Sequence, residues 1–220
     1  MFKEFEMQRM LNHTGIVKTM YFLKRTKGAK GEEREIEFNI LLEHMEGGNL
    51  QQYLNKQPET RMPNIYKAKV FTQRIVETVA YLHSMNIVHR DIKTDNILLS
   101  KELDDVKLCD FGVSGNVDDT RWTSDARGTI RYMAPELFDR KLTKKADIWA
   151  IGCIVLQFIT GKRPYHGYPN EHAITRKLFL QKETPLDYAK KKMRHELLGY
   201  DKKGGRKIVT QTWYNSNKHL

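Results

Sequence analysis

Apolar residues along the chain switch between a two-residue and a 3.6-residue period, and the switches mark the elements. Phe2, Phe5, Met10 and Leu11 fall at mixed helical spacing before Asn12-His13-Thr14-Gly15, which predicts an opening helix that stops near that glycine. Residues 16–23 are β-prone, and residues 36–42 alternate apolar and polar before turning apolar, so two strands are expected. The polar stretch 24–35, with Gly28 and Gly31, reads as an exposed hairpin loop between them. Gly47-Gly48 breaks the chain, and residues 49–56 read as a short helix. Val70, Phe71, Ile75, Val79 and Leu82 share one face of a longer helix. Residues 88–99 and 106–109 read as short strands around an intervening loop, and an almost wholly apolar helix runs from Ala146 to about Thr160-Gly161. No internal repeat is present.

Composition adds limits rather than identity. At 220 residues the chain is one domain by length, with enough material for a substantial core. Its 40% hydrophobic and 30% charged residues are ordinary for a soluble globular protein. The two cysteines, Cys109 and Cys153, sit in no CxxC or Cys/His cluster, which points to a reducing compartment and away from disulfides or zinc. The longest apolar run, residues 148–159, contains Gln157 and is too short to span a membrane. The start has no signal-peptide core, so no membrane partner and a cytoplasmic or nuclear location are expected. Of the net charge of +11, nine arise from residue 162 onward, where fourteen Lys/Arg face five Asp/Glu. A solvated basic face explains that segment most simply. An acidic partner stays open, whereas a nucleic-acid partner is disfavoured because aromatic interleaving and a recognisable module are lacking.

The chemistry lies in the middle of the chain. Residues 89–96 read His-Arg-Asp-Ile-Lys-Thr-Asp-Asn, followed by Asp110-Phe111-Gly112, Ala134-Pro135-Glu136 and Asp147-Ile148-Trp149-Ala150-Ile151-Gly152. Phosphoryl transfer needs a carboxylate to orient the attacking hydroxyl, a lysine to neutralise charge, and hard oxygen ligands for Mg²⁺. Asp91, Lys93, Asn96 and Asp110 supply that set. These motifs, in this order, carry a resemblance to the eukaryotic-type protein kinases, and Lys93 resembles the serine/threonine branch. The resemblance runs from about residue 4 to Tyr165.

The resemblance implies an α+β, protein-kinase-like fold: a mostly helical large lobe with a partial small-lobe β-sheet. Residues 1–45 would be a residual small lobe and hinge, 46–165 the large-lobe core, and 166–220 a divergent basic segment. It implies ATP and Mg²⁺ as cofactors and a protein as substrate. Asp91 and Lys93 become the catalytic pair, and Asn96 and Asp110 the metal ligands. Glu43 and Met45 of a hinge behind Leu42, together with Asn49 and Leu98, become the nucleotide contacts. Glu4 takes the place of the helix-C glutamate, with Gln8 where an aliphatic residue is usual. His89 is expected to pack on Phe111, and Asp147 to cap the backbone of the loop. Cys109 and Cys153 are expected to act as small buried hydrophobes.

Arg90, Ser124, Asp125 and Thr129 belong to the activation segment in this reading. Thr129 would bond Asp91, and Asp125, four residues earlier, would pair with Arg90 where the family often carries a phosphate. Ser114 in Asp-Phe-Gly-Val-Ser-Gly resembles the MAP kinase kinase branch. The 220 residues carry no Gly-rich strand-turn-strand and no Val-Ala-Ile-Lys, and after Tyr165 only Arg206 offers itself as a partner for Glu136. The expectation is therefore a kinase truncated at its N-terminus and impaired as it stands. A non-catalytic pseudokinase-like binding module is the alternative, with a basic adaptor ranked third.

Overall fold

A computed structural model describes residues 7–27, 35–57, 64–117, 128–138 and 143–198. The chain divides into two units, Met1–Arg163 and Pro164–Leu220. In the first, residues 7–10 are helical (α1), and β1 (Thr19–Lys27) pairs antiparallel with β2 (Glu35–Leu42). The register sets Tyr21 opposite Leu41, with an irregularity between Thr19 and Tyr21. The strands reach further into the polar stretch than its composition suggests, because antiparallel pairing satisfies the backbone from Lys24 to Lys27 whatever the side chains are.

Helix α2 (Leu50–Asn55) starts in a capping box. The Asn49 side chain accepts the Gln52 amide at 2.8 Å, and the Gln52 side chain accepts the Asn49 amide at 3.0 Å. Helix α3 (Ile65–Ser84) buries Phe71, Ile75, Val79 and Leu82 of the expected face together with Thr78, while Val70 is partly buried against the same core. Residues 88–99 hold short strands around a loop, as the sequence reading expects. β3 (Ile87–Val88) pairs with β6 (Gly115–Asn116), β4 (Ile97–Leu99) pairs with β5 (Val106–Leu108), and a 3₁₀ turn (Thr94–Asn96) lies between β3 and β4. In the loop between the strands Ile92 is buried in the core.

A second 3₁₀ turn (Ile130–Tyr132) precedes the short α4 (Pro135–Phe138). Helix α5 (Lys145–Thr160) ends at Gly161, whose φ of 65° gives the left-handed C-cap the sequence marks. One core joins α3, α5, β4 and β5 through Phe71, Leu82, Ile97, Leu108, Ile154 and Phe158.

The second unit contains α6 (Glu171–Leu180) and α7 (Pro185–Leu198). Tyr165 is buried there and donates its hydroxyl proton to the Glu183 carbonyl at 2.8 Å. The buried Glu183 carboxylate faces Lys191 at 3.3 Å and Lys177 at 3.8 Å. Among the described residues no helix is long and apolar enough to cross a membrane.

Gly15 has a different reason from the helix stop it suggests. Helix α1 has already ended, and a methyl group at Gly15 would occupy the space of Thr78 Oγ1 on α3. We expect Gly15→Ala to cost about 1–3 kcal/mol in urea unfolding through overpacking. Combined with Thr78→Ala it should cost clearly less than the sum of the two single changes.

Candidate active site

The site is built around a buried carboxylate on the first turn of α5. Asp147 is 1% exposed and accepts the backbone amides of His89 at 2.9 Å and Arg90 at 3.0 Å, plus His83 Nε2 at 2.9 Å. These bonds fix a turn in which Arg90 has φ of 70°, a left-handed conformation that costs a non-glycine residue about 1–3 kcal/mol. Asp91 follows directly, so its direction is inherited from that turn.

The Asp91 carboxylate receives donors on both oxygens. Thr129 donates from its amide and its hydroxyl to Oδ1, each at 2.8 Å, and Lys93 Nζ donates to Oδ2 at 2.6 Å. Lys93 Nζ also reaches Thr129 Oγ1 at 2.9 Å, which closes a triangle of three side chains. Burial alone would raise the Asp91 pKa, but the bonds from Lys93 and Thr129 outweigh it and hold the carboxyl below its ordinary value. Asp91 is therefore an anion at neutral pH.

Asn96 is buried and donates from Nδ2 to the Asp91 carbonyl at 3.0 Å and to Oδ2 at 3.2 Å. With the amide nitrogen so engaged, its Oδ1 is the atom left to act as a ligand. The Cys109 amide donates to the Asn96 carbonyl at 3.0 Å, which brings Asp110 beside that loop. Asp110 is exposed at φ 63°, with Oδ1 accepting the Gly112 amide at 3.3 Å. One amide oxygen and one exposed carboxylate are hard donors of the kind Mg²⁺ takes, so the residues fit that ion.

The nucleotide-side candidates also assemble. Glu43 accepts Lys107 Nζ on both oxygens at 2.8 Å and the Lys18 amide at 2.6 Å. Burial would raise the Glu43 pKa, and these donors reverse that and hold it low. Lys107 lies opposite Leu98 in the β4–β5 pair, and Leu98 bridges to Asn49. The Asn49 side chain is engaged as the α2 cap, so its contact to a ribose would need its other atoms.

His89 meets Phe111 edge-to-face, with ring centroids 4.8 Å apart, as expected. Its Nδ1 accepts the Asp91 amide at 3.4 Å and its Nε2 faces the Cys109 carbonyl at 3.1 Å, an arrangement that selects the neutral Nε2–H tautomer. Burial pushes the Cys109 thiol up to about 12, with Asp110 beside it adding to the effect. That thiol is inert at neutral pH. Ser114 is buried and donates to the His89 carbonyl at 3.2 Å. Glu4, Ser124, Asp125 and Arg206 lie outside the described residues.

Sequence reasoning missed Lys107, His83, Gln51 and Thr94. No motif marks them; the available signal was polar residues on faces that otherwise read as core. Gln157, which interrupts the apolar run of α5, was the visible case.

A loop whose aspartate is held by a lysine and a threonine, beside an Asp-Phe-Gly turn, defines a phosphoryl-transfer site of the protein kinase class. Comparison with known proteins agrees: the protein kinase domain model matches residues 1–211, and the chain belongs to that family. It is 34% identical over 168 residues to human "Mitogen-activated protein kinase kinase kinase 6", covering 74% of this chain and 12% of that protein. It is 34% identical to the "Serine/threonine-protein kinase STE11" of Saccharomyces cerevisiae, covering 89% of this chain and 28% of that protein. A third relative, "Serine/threonine-protein kinase BCK1/SLK1/SSP31" of the same yeast, is 36% identical over 70% of this chain and 10% of its own length. The chain thus spans between 10% and 28% of the length of these relatives. Protein kinases as a class use ATP and Mg²⁺ on protein substrates, and two of these relatives are named serine/threonine-protein kinases.

The buried, neutral His89 has a measurable consequence. Its pKa is lowered from 6.5, first by burial, against the opposing charges of Asp147, Asp91 and Asp110. The unfolded chain takes up the proton near pH 6.5 while the folded chain does not, so this stability is full above that pH and is lost as pH falls below it. Urea unfolding should show a slope of up to about 1.4 kcal/mol per pH unit below that point. His89→Gln should flatten that component.

Proposed function

We propose that this chain carries the transfer and metal-binding elements of an ATP-dependent kinase acting on serine or threonine of protein substrates. The observation that carries the reading is the triangle of Asp91, Lys93 and Thr129, which leaves an anionic carboxylate fixed at the mouth of a loop lined by Asn96 and Asp110.

In this reading the hydroxyl oxygen of the substrate attacks the γ-phosphorus of ATP, the bond from that phosphorus to the β,γ-bridging oxygen breaks, and ADP leaves with the electron pair. Asp91 orients the hydroxyl and takes its proton as the new ester bond forms. Lys93, already 2.6 Å from Asp91 Oδ2, places positive charge where the transferred phosphoryl group gains negative charge. Asn96 and Asp110 would hold Mg²⁺, which when bound neutralises the phosphate oxygens. The Glu43–Met45 backbone would meet the adenine; among the described residues the Met45 amide makes no hydrogen bond of its own.

Asp110→Asn tests the metal half of this reading without requiring turnover. The parent chain should gain stability in a thermal-shift assay when ADP is added with Mg²⁺, but little with ADP alone. At about 100 times Kd that gain corresponds to roughly 2.7 kcal/mol. In Asp110→Asn the Mg²⁺-dependent part should vanish. An unchanged metal response in the variant would remove Asp110 from the assignment. Full Mg²⁺-dependent binding with no transfer to any protein would instead describe a nucleotide-binding module.

A further inference from the structure

Beneath the Asp91–Thr129 contact lies a ring of buried polar side chains that the proposed chemistry does not use. Thr94 is fully buried in the first 3₁₀ turn, and its Oγ1 donates to Gln51 Oε1 at 2.8 Å and lies 3.0 Å from the Tyr132 hydroxyl. Tyr132 donates to Gln157 Oε1 at 2.7 Å, and Gln157 Nε2 returns to Gln51 Oε1 at 2.8 Å. The ring therefore closes through four elements: α2, both 3₁₀ turns and α5. Arg163 Nε donates to the same Gln51 oxygen at 2.8 Å, while its Nη2 holds Asp95 at 3.0 Å. All four ring members are less than 9% exposed, and burial pushes the Tyr132 hydroxyl up to about 12, so it remains a donor at any working pH.

The spacing connects this ring to the site above it. Thr94 is three residues after Asp91, and Tyr132 is three residues after Thr129. Thr94 opens the first 3₁₀ turn, just after the extended Lys93, and Tyr132 closes the second, which begins after Thr129. Two links thus join the same two segments: the Thr129–Asp91 hydrogen bond at 2.8 Å, and the Thr94 and Tyr132 hydroxyls, which touch at 3.0 Å and are tied together through Gln51 and Gln157. The lower link is anchored to α2 and α5, whereas among the described residues Thr129 has no such tie of its own to either helix. We infer that Thr94 and Gln51 are positioning residues that set the register between the Asp91 loop and the Thr129 segment. The inference rests on reading Asp91 as the carboxylate that orients the substrate hydroxyl.

The ring has room to lose one member. Two hydroxyl protons serve three oxygen–oxygen contacts, Thr94–Gln51, Thr94–Tyr132 and Tyr132–Gln157. Without the Thr94 hydroxyl, Gln51 Oε1 still accepts Gln157 and Arg163, and Tyr132 still donates to Gln157, so no buried group is orphaned. Thr94→Val should therefore fold, and its effect should be local.

The test is amide hydrogen exchange by NMR on the full chain without nucleotide, comparing Thr129 with the core amides of Ile154 and Phe158 in α5. Thr94→Val should speed Thr129 exchange roughly tenfold, about what one ordinary hydrogen bond contributes. Ile154 and Phe158 should stay unchanged, and Thr94→Ser, which keeps the hydroxyl, should restore Thr129. An unchanged Thr129 rate, a rise spread equally over the α5 amides, or failure of Thr94→Ser to rescue would overturn the inference. Because no nucleotide is present, this result is read separately from the Mg²⁺-dependent binding that tests the proposed function.

Discussion

A buried carboxylate needs several donors to remain charged in a protein interior, and Asp147 finds them in the backbone of one loop. Its place on the first turn of α5 adds the favourable end of the helix dipole. The His89 and Arg90 amides cannot leave it without stranding a charge, so the loop is held in a left-handed turn that Arg90 would otherwise avoid. Everything chemically interesting follows in sequence from that fixed point: Asp91 next, Lys93 two residues on, Asn96 at the end of the turn.

From this anchor the site divides into a rigid side and an open side. Asp91, Thr94 and Asn96 are buried and bonded, so their directions are set by the fold. Asp110 is exposed and strained, and its carboxylate accepts the backbone amide of Gly112 two residues on. The proposed chemistry, three fixed groups and a metal-bound phosphate that enters and leaves, would use this asymmetry. The Glu43–Lys107 pair does comparable work at the other edge, tying the segment after β2 to the strand that leads into Cys109 and Asp110.

The chemistry was legible in the sequence because it sits in contiguous runs. His89 to Asn96 and Asp110 to Gly112 place their groups within a few residues, and local geometry does the rest. The long helices were legible as well, since α3 and α5 each carry a consistent apolar face. Within residues 88–99 the short strands β3 and β4 could not be bounded from composition, because Ile92 in the loop between them is as buried as the strand residues. The polar stretch before Glu35 misled, since paired backbone tolerates charged side chains at a solvent-facing edge. Gln51, Thr94 and Gln157 could not be read together, because their contacts span up to 106 positions and no spacing rule joins them.

The central claim is that Asn96 and Asp110 share one divalent ion beside the Asp91 carboxylate. Mn²⁺ with ADP, added to the isotopically labelled chain, tests this directly, because the ion broadens the resonances of nearby amides. The account predicts that the amides of Asn96, Asp110 and Gly112 broaden first, while those of Ile154 and Phe158 persist. Broadening centred elsewhere, or none at these three positions when nucleotide binds, would contradict it.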